Sequence, residues 1–321
     1  MQSASFYQPV MDRLEGVNAS LMGMAAEKHP FLAQLLEHSL SSPGKYIRPA
    51  ITLLASSFCP HDERTTEKMA IGVELLHIAS LIHDDTVDGA SLRRGKMTIS
   101  SLWGPKAAVL AGDYIFAASA TFVCDTGNIR VIKRFAETIM ELSSGELQEM
   151  SETYNPAQSM DGYLGRIYNK TASLFTTAAE SGAVLSGAPE ERCVAFRHYG
   201  HNLGMAFQVV DDILDFDGTE EEFGKPIGSD LANGIVTLPT LIAMKQKHCA
   251  QIVERALKSP DDEDLMGEAI RTIQDDGVLE ESYKFASRYC EKALANLRCL
   301  PASPSRDSLE ELVSHVKVRR S

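Results

Sequence analysis

Two stretches of the chain hold carboxylates at a spacing that can do chemistry. His83–Asp88 reads H-D-D-T-V-D and supplies Asp84, Asp85 and Asp88, while Val209–Asp215 reads V-V-D-D-I-L-D and supplies Asp211, Asp212 and Asp215. Residues four apart on a helix share a face, so Asp84 and Asp88 point the same way, as do Asp211 and Asp215. Like charges at that spacing destabilise a helix unless something positive sits between them. All-oxygen ligands suit a hard cation such as Mg2+, which keeps waters and bridges to substrate phosphates. A single D-D-x-x-D is as well explained by a solvated acidic face. The acidic runs at 261–264 and 275–276 serve as controls, since neither reads D-D-x-x-D. The two full copies each close an apolar helical stretch and precede a basic, glycine-bearing loop, which favours a metal site.

Cations accompany both motifs. Arg93 and Arg94 follow the first closely enough for a loop to fold back over it, and Lys45 and Arg48 flank Tyr46-Ile47 in G-K-Y-I-R-P. Lys225 sits in G-K-P-I-G, and Lys170-Thr171 lies mid-helix in Y-N-K-T-A-S-L-F, an apolar setting where a lysine needs an anionic partner. Bidentate arginines and lysine point charges beside a Mg2+ carboxylate site imply a diphosphate.

The elements that must position these groups are helices. Apolar residues recur at helical spacing through Thr66–Asp88. Pro105 opens a helix that runs to about Asp125 before Gly127, and Asn128 can cap the next. Met160–Gly187 and Pro189–Phe216 are two further long helices parted by Gly187-Ala188-Pro189. Strand alternation is nearly absent, so the expected fold class is all-α with little or no sheet. No Ser/Gly/Pro-rich linker divides the chain, so residues 1–321 are expected to form a single all-helical domain.

A formal net charge of −13 argues against nucleic acid and anionic membranes as partners. Six cysteines show no metal-binding or redox spacing, which suits reduced thiols. The N-terminus lacks a basic-then-apolar pattern, and no unbroken run of eighteen apolar residues occurs, so a cytoplasmic protein without a transmembrane segment is expected. Contact with a membrane face for product release stays open, since it needs no motif.

The chain resembles the trans-isoprenyl diphosphate synthases of the polyprenyl synthetase family. The resemblance is carried in order by GKYIRP, ELLHIASLIHDDTVDGASLRRG, GDYIF, NKTASLF, FQVVDDILDF and GKPIGSDLANGIVTLP. It implies the isoprenoid synthase fold, with long helices around a deep central cavity, usually as a homodimer. It also implies that the six aspartates hold Mg2+, three ions with substrate bound, on an allylic diphosphate. Arg93, Lys170, Gln208 and Lys225 would contact that diphosphate, with Thr171 near the reacting carbon. Lys45, Arg48, His77 and Arg94 would bind isopentenyl diphosphate. One departure stands out: many members read Gly-Lys-x-Thr-Leu-Pro where this chain has Ile235 in place of the lysine, and Ile235 cannot bind phosphate.

The implied reaction ionises the allylic carbon–oxygen bond, after which the double bond of isopentenyl diphosphate attacks and a proton is lost. No protein nucleophile is needed. Chain length should depend on the depth available below Asp84. At about 1.5 Å per residue, Ser80 and Ala79 lie roughly 6–7 Å down the helix. Both are small where shorter-chain relatives carry an aromatic floor, and Leu76 and Val73 beyond them are apolar but not aromatic. The expected product is therefore hexaprenyl to decaprenyl diphosphate. Tyr114, Phe116 and Phe122 could supply a floor instead, which leaves geranylgeranyl diphosphate as the alternative. A class I terpene cyclase and a non-catalytic subunit of a heteromeric synthase are the remaining readings.

Overall fold

The computed structural model describes residues 4–26, 28–41, 44–93, 95–218, 226–275 and 277–318. It begins with a 3-10 turn, Ser5–Val10, then α1 (Met11–Gly23), α2 (Pro30–Leu40), α3 (Ile47–Ser56) and α4 (Glu63–Val87). A two-residue ribbon, β1 (Leu92–Arg93) with β2 (Lys96–Met97), precedes α5 (Ile99–Trp103), α6 (Pro105–Cys124) and α7 (Ile129–Glu152). Next come α8 (Met160–Ile167), a π-helical turn (Tyr168–Ala172), α9 (Ser173–Leu185) and α10 (Glu190–Asp217). The last helices are α11 (Ser229–Ala232), α12 (Leu238–Ala243), α13 (Lys247–Lys258), α14 (Glu263–Asp275), α15 (Val278–Leu297) and α16 (Pro304–Val318). The all-α expectation holds.

The chain divides into two compact units. One comprises Met1–Ala136, Thr177–Arg197 and Cys299–Leu309; the other comprises Glu137–Thr176, His198–Arg298 and Glu310–Ser321.

In the first unit α4 and α6 pack antiparallel. Gly72 on α4 faces Val123 and Ser119 near the end of α6, while Gly112 on α6 faces the ring of His83. A Cβ on Gly72 would fall 2.6 Å from Val123 Cγ2, and one on Gly112 would fall 2.3 Å from His83 Nε2. Glycine at both points lets the helices approach closely enough to bury Val73, Leu76, Ala79, Ala108, Ala111 and Ile115. Capping sets the ends: Asp62 accepts from Arg64 N–H ahead of α4, and Asn128 Oδ1 accepts from Val131 N–H at 3.2 Å ahead of α7.

One expectation needs amending. α6 is 20 residues long with a mean hydropathy of 1.6 over its most apolar window, so by length and composition it could cross a membrane. Lys106 and Asp113 interrupt its apolar run without lowering the mean enough to exclude it. A core helix meets the same criterion, and a third of that window (33%) is buried here.

In the second unit residues 160–176, with the π turn, run antiparallel to the 198–217 part of α10. Gly204 meets Ala172, and Gly200 meets the Phe175 carbonyl and Thr176 Cα, at distances that no side chain could share. Tyr163, Phe175, Leu203, Val209 and Ile213 form the core between them. The sequence predicts unbroken α-helix from Met160; the π turn is a departure. There Ser173 N–H donates to Tyr168 O, five residues back.

Close approach of this kind predicts a measurable cost. In the first unit a Cβ on Gly182 would sit 2.2 Å from the Thr52 carbonyl oxygen and 3.1 Å from Ala55 Cβ. Gly182→Ala is expected to lower stability by about 1–3 kcal/mol, read as an earlier urea midpoint with an unchanged slope.

Candidate active site

The first aspartate motif closes α4. Asp85 is buried, Asp84 half-buried and Asp88 exposed. Gly89 and Gly95, both at positive φ, turn the chain so that the β1–β2 ribbon folds back, pairing Leu92 with Met97 and Arg93 with Lys96. The ribbon places Arg93 Nε 2.7 Å from Asp85 Oδ1, the cation that the like-charged motif calls for. Burial pushes the Asp85 carboxyl upward and the Arg93 guanidinium opposes it. His77 is half-buried further up α4, and Ser80 donates to its carbonyl at 2.9 Å. Ala79, Leu76 and Val73 are fully packed, whereas Ser80, one turn before Asp84 on the same face, is half-buried. Lys45 is exposed and Arg48 half-buried at the start of α3. Arg94 lies outside the described residues.

The second motif closes α10. Asp212 is only 3% exposed. The Tyr163 hydroxyl donates to its Oδ2 at 2.6 Å and Gln208 Nε2 donates to its Oδ1 at 2.8 Å. Gln208 in turn accepts from the Thr171 hydroxyl at 2.6 Å. Asp215, also buried, accepts from the Ser229 hydroxyl at 2.7 Å and from Asp230 N–H at 3.0 Å. Asp211 is half-buried. Lys225 lies outside the described residues. Burial pushes the Asp212 carboxyl up to about 7, against the opposing bonds from Tyr163 and Gln208.

Lys170 has the anionic partners that its setting requires, and they are residues the sequence reading missed. A Cβ on Gly145 of α7 would lie 2.8 Å from Lys170 N, so glycine brings α7 against the π turn. Glu146 Oε2 then sits 3.0 Å and Glu149 Oε1 2.5 Å from Lys170 Nζ. Burial alone would lower the lysine's pKa, but Glu149 and Glu146 raise it, so the ammonium stays charged. Nearby, buried Arg166 donates to the Val236 carbonyl at 2.6 Å and to Gln158 at 3.2 Å. That fixes the backbone beside Ile235, the position where a phosphate-binding lysine is absent. Tyr163, Ser229 and Asp230 were also missed. The G-S-D-L-A string was a signal for the last two; nothing local marks a tyrosine 49 residues from its aspartate.

Oxygen donors of this kind fit Mg2+. Among the described residues no three His, Cys, Asp or Glu side chains close on one point as a metal cage. An ion that takes one or two carboxylates and completes its shell with waters and substrate phosphates needs no such cage.

The polyprenyl synthetase family model matches residues 29–273. The chain belongs to this family. It is 38% identical over 319 residues to a heptaprenyl diphosphate synthase component 2 from Geobacillus stearothermophilus, covering 99% of each chain. It superimposes with a TM-score of 0.92 on a decaprenyl diphosphate synthase from Rhodobacter capsulatus, at 33% identity over 98% of both chains. A polyprenyl synthase from Caulobacter crescentus, solved with calcium and isoprenyl diphosphate, gives 0.92 at 34% identity over 99% of this chain and 98% of that one. The fold is thus the isoprenoid synthase fold, and membership makes the chain a prenyltransferase that builds polyprenyl diphosphates. Members of the family are in general Mg2+-dependent.

The Asp212 shift gives a pH prediction. Between the ordinary carboxylate value of 3.8 and about 7, the folded chain holds a proton that the unfolded chain has released. Stability from this group is therefore full at the acid end and falls as pH rises through about 7. With EDTA present, urea midpoints should show this fall, and Asp212→Asn should remove it.

Proposed function

We propose that the chain joins isopentenyl diphosphate head-to-tail to an allylic diphosphate, such as farnesyl or geranylgeranyl diphosphate. The product would be a trans-polyprenyl diphosphate of hexaprenyl to decaprenyl length. The observation that carries the reading is the run of hydrogen bonds from Thr171 through Gln208 to Asp212, which links a motif aspartate to two residues with expected roles at the allylic end. Names of the relatives, heptaprenyl and decaprenyl diphosphate synthase, support the length range.

Asp84, Asp85, Asp88, Asp211, Asp212 and Asp215 would hold three Mg2+ ions on the allylic diphosphate. When bound, those ions supply Lewis-acid stabilisation of charge on the departing diphosphate. Arg93, Lys170 and Gln208 orient that diphosphate, with Thr171 beside the reacting carbon. Lys170 is held ready by Glu146 and Glu149. Lys45, Arg48 and His77 bind isopentenyl diphosphate. Arg94 and Lys225 keep their assigned contacts on motif alone, and Ile235 removes one cation without touching the aspartates. Ser80 is the better candidate for setting product length, since Ala79, Leu76 and Val73 are taken up by packing.

An exposed apolar stripe on α7, with Met140 at 69%, Leu147 at 66% and Met150 at 57% exposure, fits a subunit contact. We read it as the face of a homodimer. A second reading takes the name component 2 literally, so that a different subunit covers this stripe.

Incubated with isopentenyl diphosphate, farnesyl diphosphate and Mg2+, the purified chain should give products of hexaprenyl to decaprenyl mass, and light scattering should report a dimer. A geranylgeranyl limit would overturn the length assignment, and a terpene hydrocarbon or alcohol would indicate a cyclase. No turnover until a second subunit is added would favour the component reading. Ser80→Phe should shorten the longest product; an unchanged product distribution would remove Ser80 from the length-setting set.

A further inference from the structure

The loop before α3 carries a strained residue that the reaction as described does not explain. Tyr46, between Lys45 and Arg48, has φ 50° and ψ 30°, the left-handed region that a bulky side chain rarely enters. It stands at the N-cap of α3, so its backbone sets the angle between the Lys45 peptide and the first helical turn, which holds Arg48. Such a conformation persists only where its surroundings over-determine it. Three contacts do so. Tyr46 is 8% exposed and its hydroxyl donates to Asn18 Oδ1 at 2.8 Å. The Tyr7 hydroxyl donates to the Lys45 carbonyl oxygen. Behind them a Cβ on Gly44 would lie 2.9 Å from Glu74 Oε1, so the chain enters the loop against a buried carboxylate where glycine fits best.

Two of these three contacts come from the first 23 residues. Tyr7 belongs to the opening 3-10 turn and Asn18 to α1, both ahead of residue 29, where the family match begins. Burial, with Glu74 adding to it, raises the pKa of both phenols, Tyr46 to about 12. Both hydroxyls therefore stay protonated donors at working pH.

We propose that the segment Ser5–Gly23 is a clamp on the Gly44–Arg48 loop, and that Tyr7 and Asn18 are positioning residues for isopentenyl diphosphate. The clamp rests on the reading of Lys45 and Arg48 as contacts to that substrate. Neither Tyr7 nor Asn18 touches substrate in this account; each acts by holding the left-handed turn that aims the two cations.

The test is steady-state kinetics of the full chain with Mg2+, varying isopentenyl diphosphate and farnesyl diphosphate in turn. Asn18→Ala, Tyr46→Phe and Tyr7→Phe each delete one hydrogen-bonding group and are expected to raise KM for isopentenyl diphosphate roughly threefold to tenfold. KM for farnesyl diphosphate and the melting temperature should stay near the parent values. Asn18→Asp keeps the acceptor oxygen and should restore KM. Asn18→Ala combined with Tyr46→Phe should be no worse than either alone, because both break the same bond. Unchanged KM values, or equal rises in both accompanied by a lower melting temperature, would reduce the segment to a structural role and overturn the clamp. Lys45→Ala separates the two claims. If it leaves KM for isopentenyl diphosphate unchanged, the substrate assignment fails; if it raises KM while the clamp variants do not, only the clamp fails.

Discussion

A carboxylate taken out of water must be given donors or a countercharge, because the desolvation it suffers exceeds what ordinary packing returns. Much of this chain is arranged around that constraint. Glu180, 4% exposed, is met by Arg197 at 2.6 and 2.9 Å and by Arg130 at 3.0 Å. Although burial raises its pKa, the two guanidinium groups prevail and the net shift is downward. Asp212 is equally buried but is met by a phenol and an amide, which bring hydrogen bonds and no charge, and its pKa moves upward. At Glu180 the charge is neutralised within the protein; at the second motif the proposed metal ions would supply the missing positive charge.

The helices and the two aspartate motifs were legible because their signals are local. Apolar periodicity and the breakers Gly127 and Gly187-Ala188-Pro189 define most boundaries, and the i, i+4 spacing of Asp84 and Asp88 states its own geometry. The fold back of Arg93 was legible for the same reason, being eight residues from its partner. Glu146 and Glu149 were not. On an amphipathic helix they look like part of a solvated face, and only the close approach allowed by Gly145 turns them toward Lys170. Tyr163 and Asp212 likewise meet through the antiparallel register of α8 and α10, which no short window contains. Small residues at crossing points are the sequence trace of such meetings. They become informative only once the partner helix is known.

The overall charge of −13 at first weighs against any anionic substrate. The site shows why a sum misleads here. Charge acts over about 8 Å at physiological salt, so under the proposed roles a diphosphate would respond to the cations and metal-recruiting aspartates beside it rather than to a distant surplus of glutamate. The same sum remains informative for nucleic acid, whose long polyanionic surface samples the whole protein.

The π turn at Tyr168–Ala172 has a consequence for how this segment tolerates change in length. Its hydrogen bond spans five residues where the flanking helices span four, so the turn holds one residue more than a regular helix needs. The wider turn absorbs that surplus residue locally, so the helix continues past it without a break. Deleting one residue here would let the ladder close as plain α-helix and leave α8 and α9 intact, while Lys170 and Thr171 would lose their present bearings. The segment is thus forgiving as scaffold, and under the roles proposed for Lys170 and Thr171 it would be unforgiving as a site.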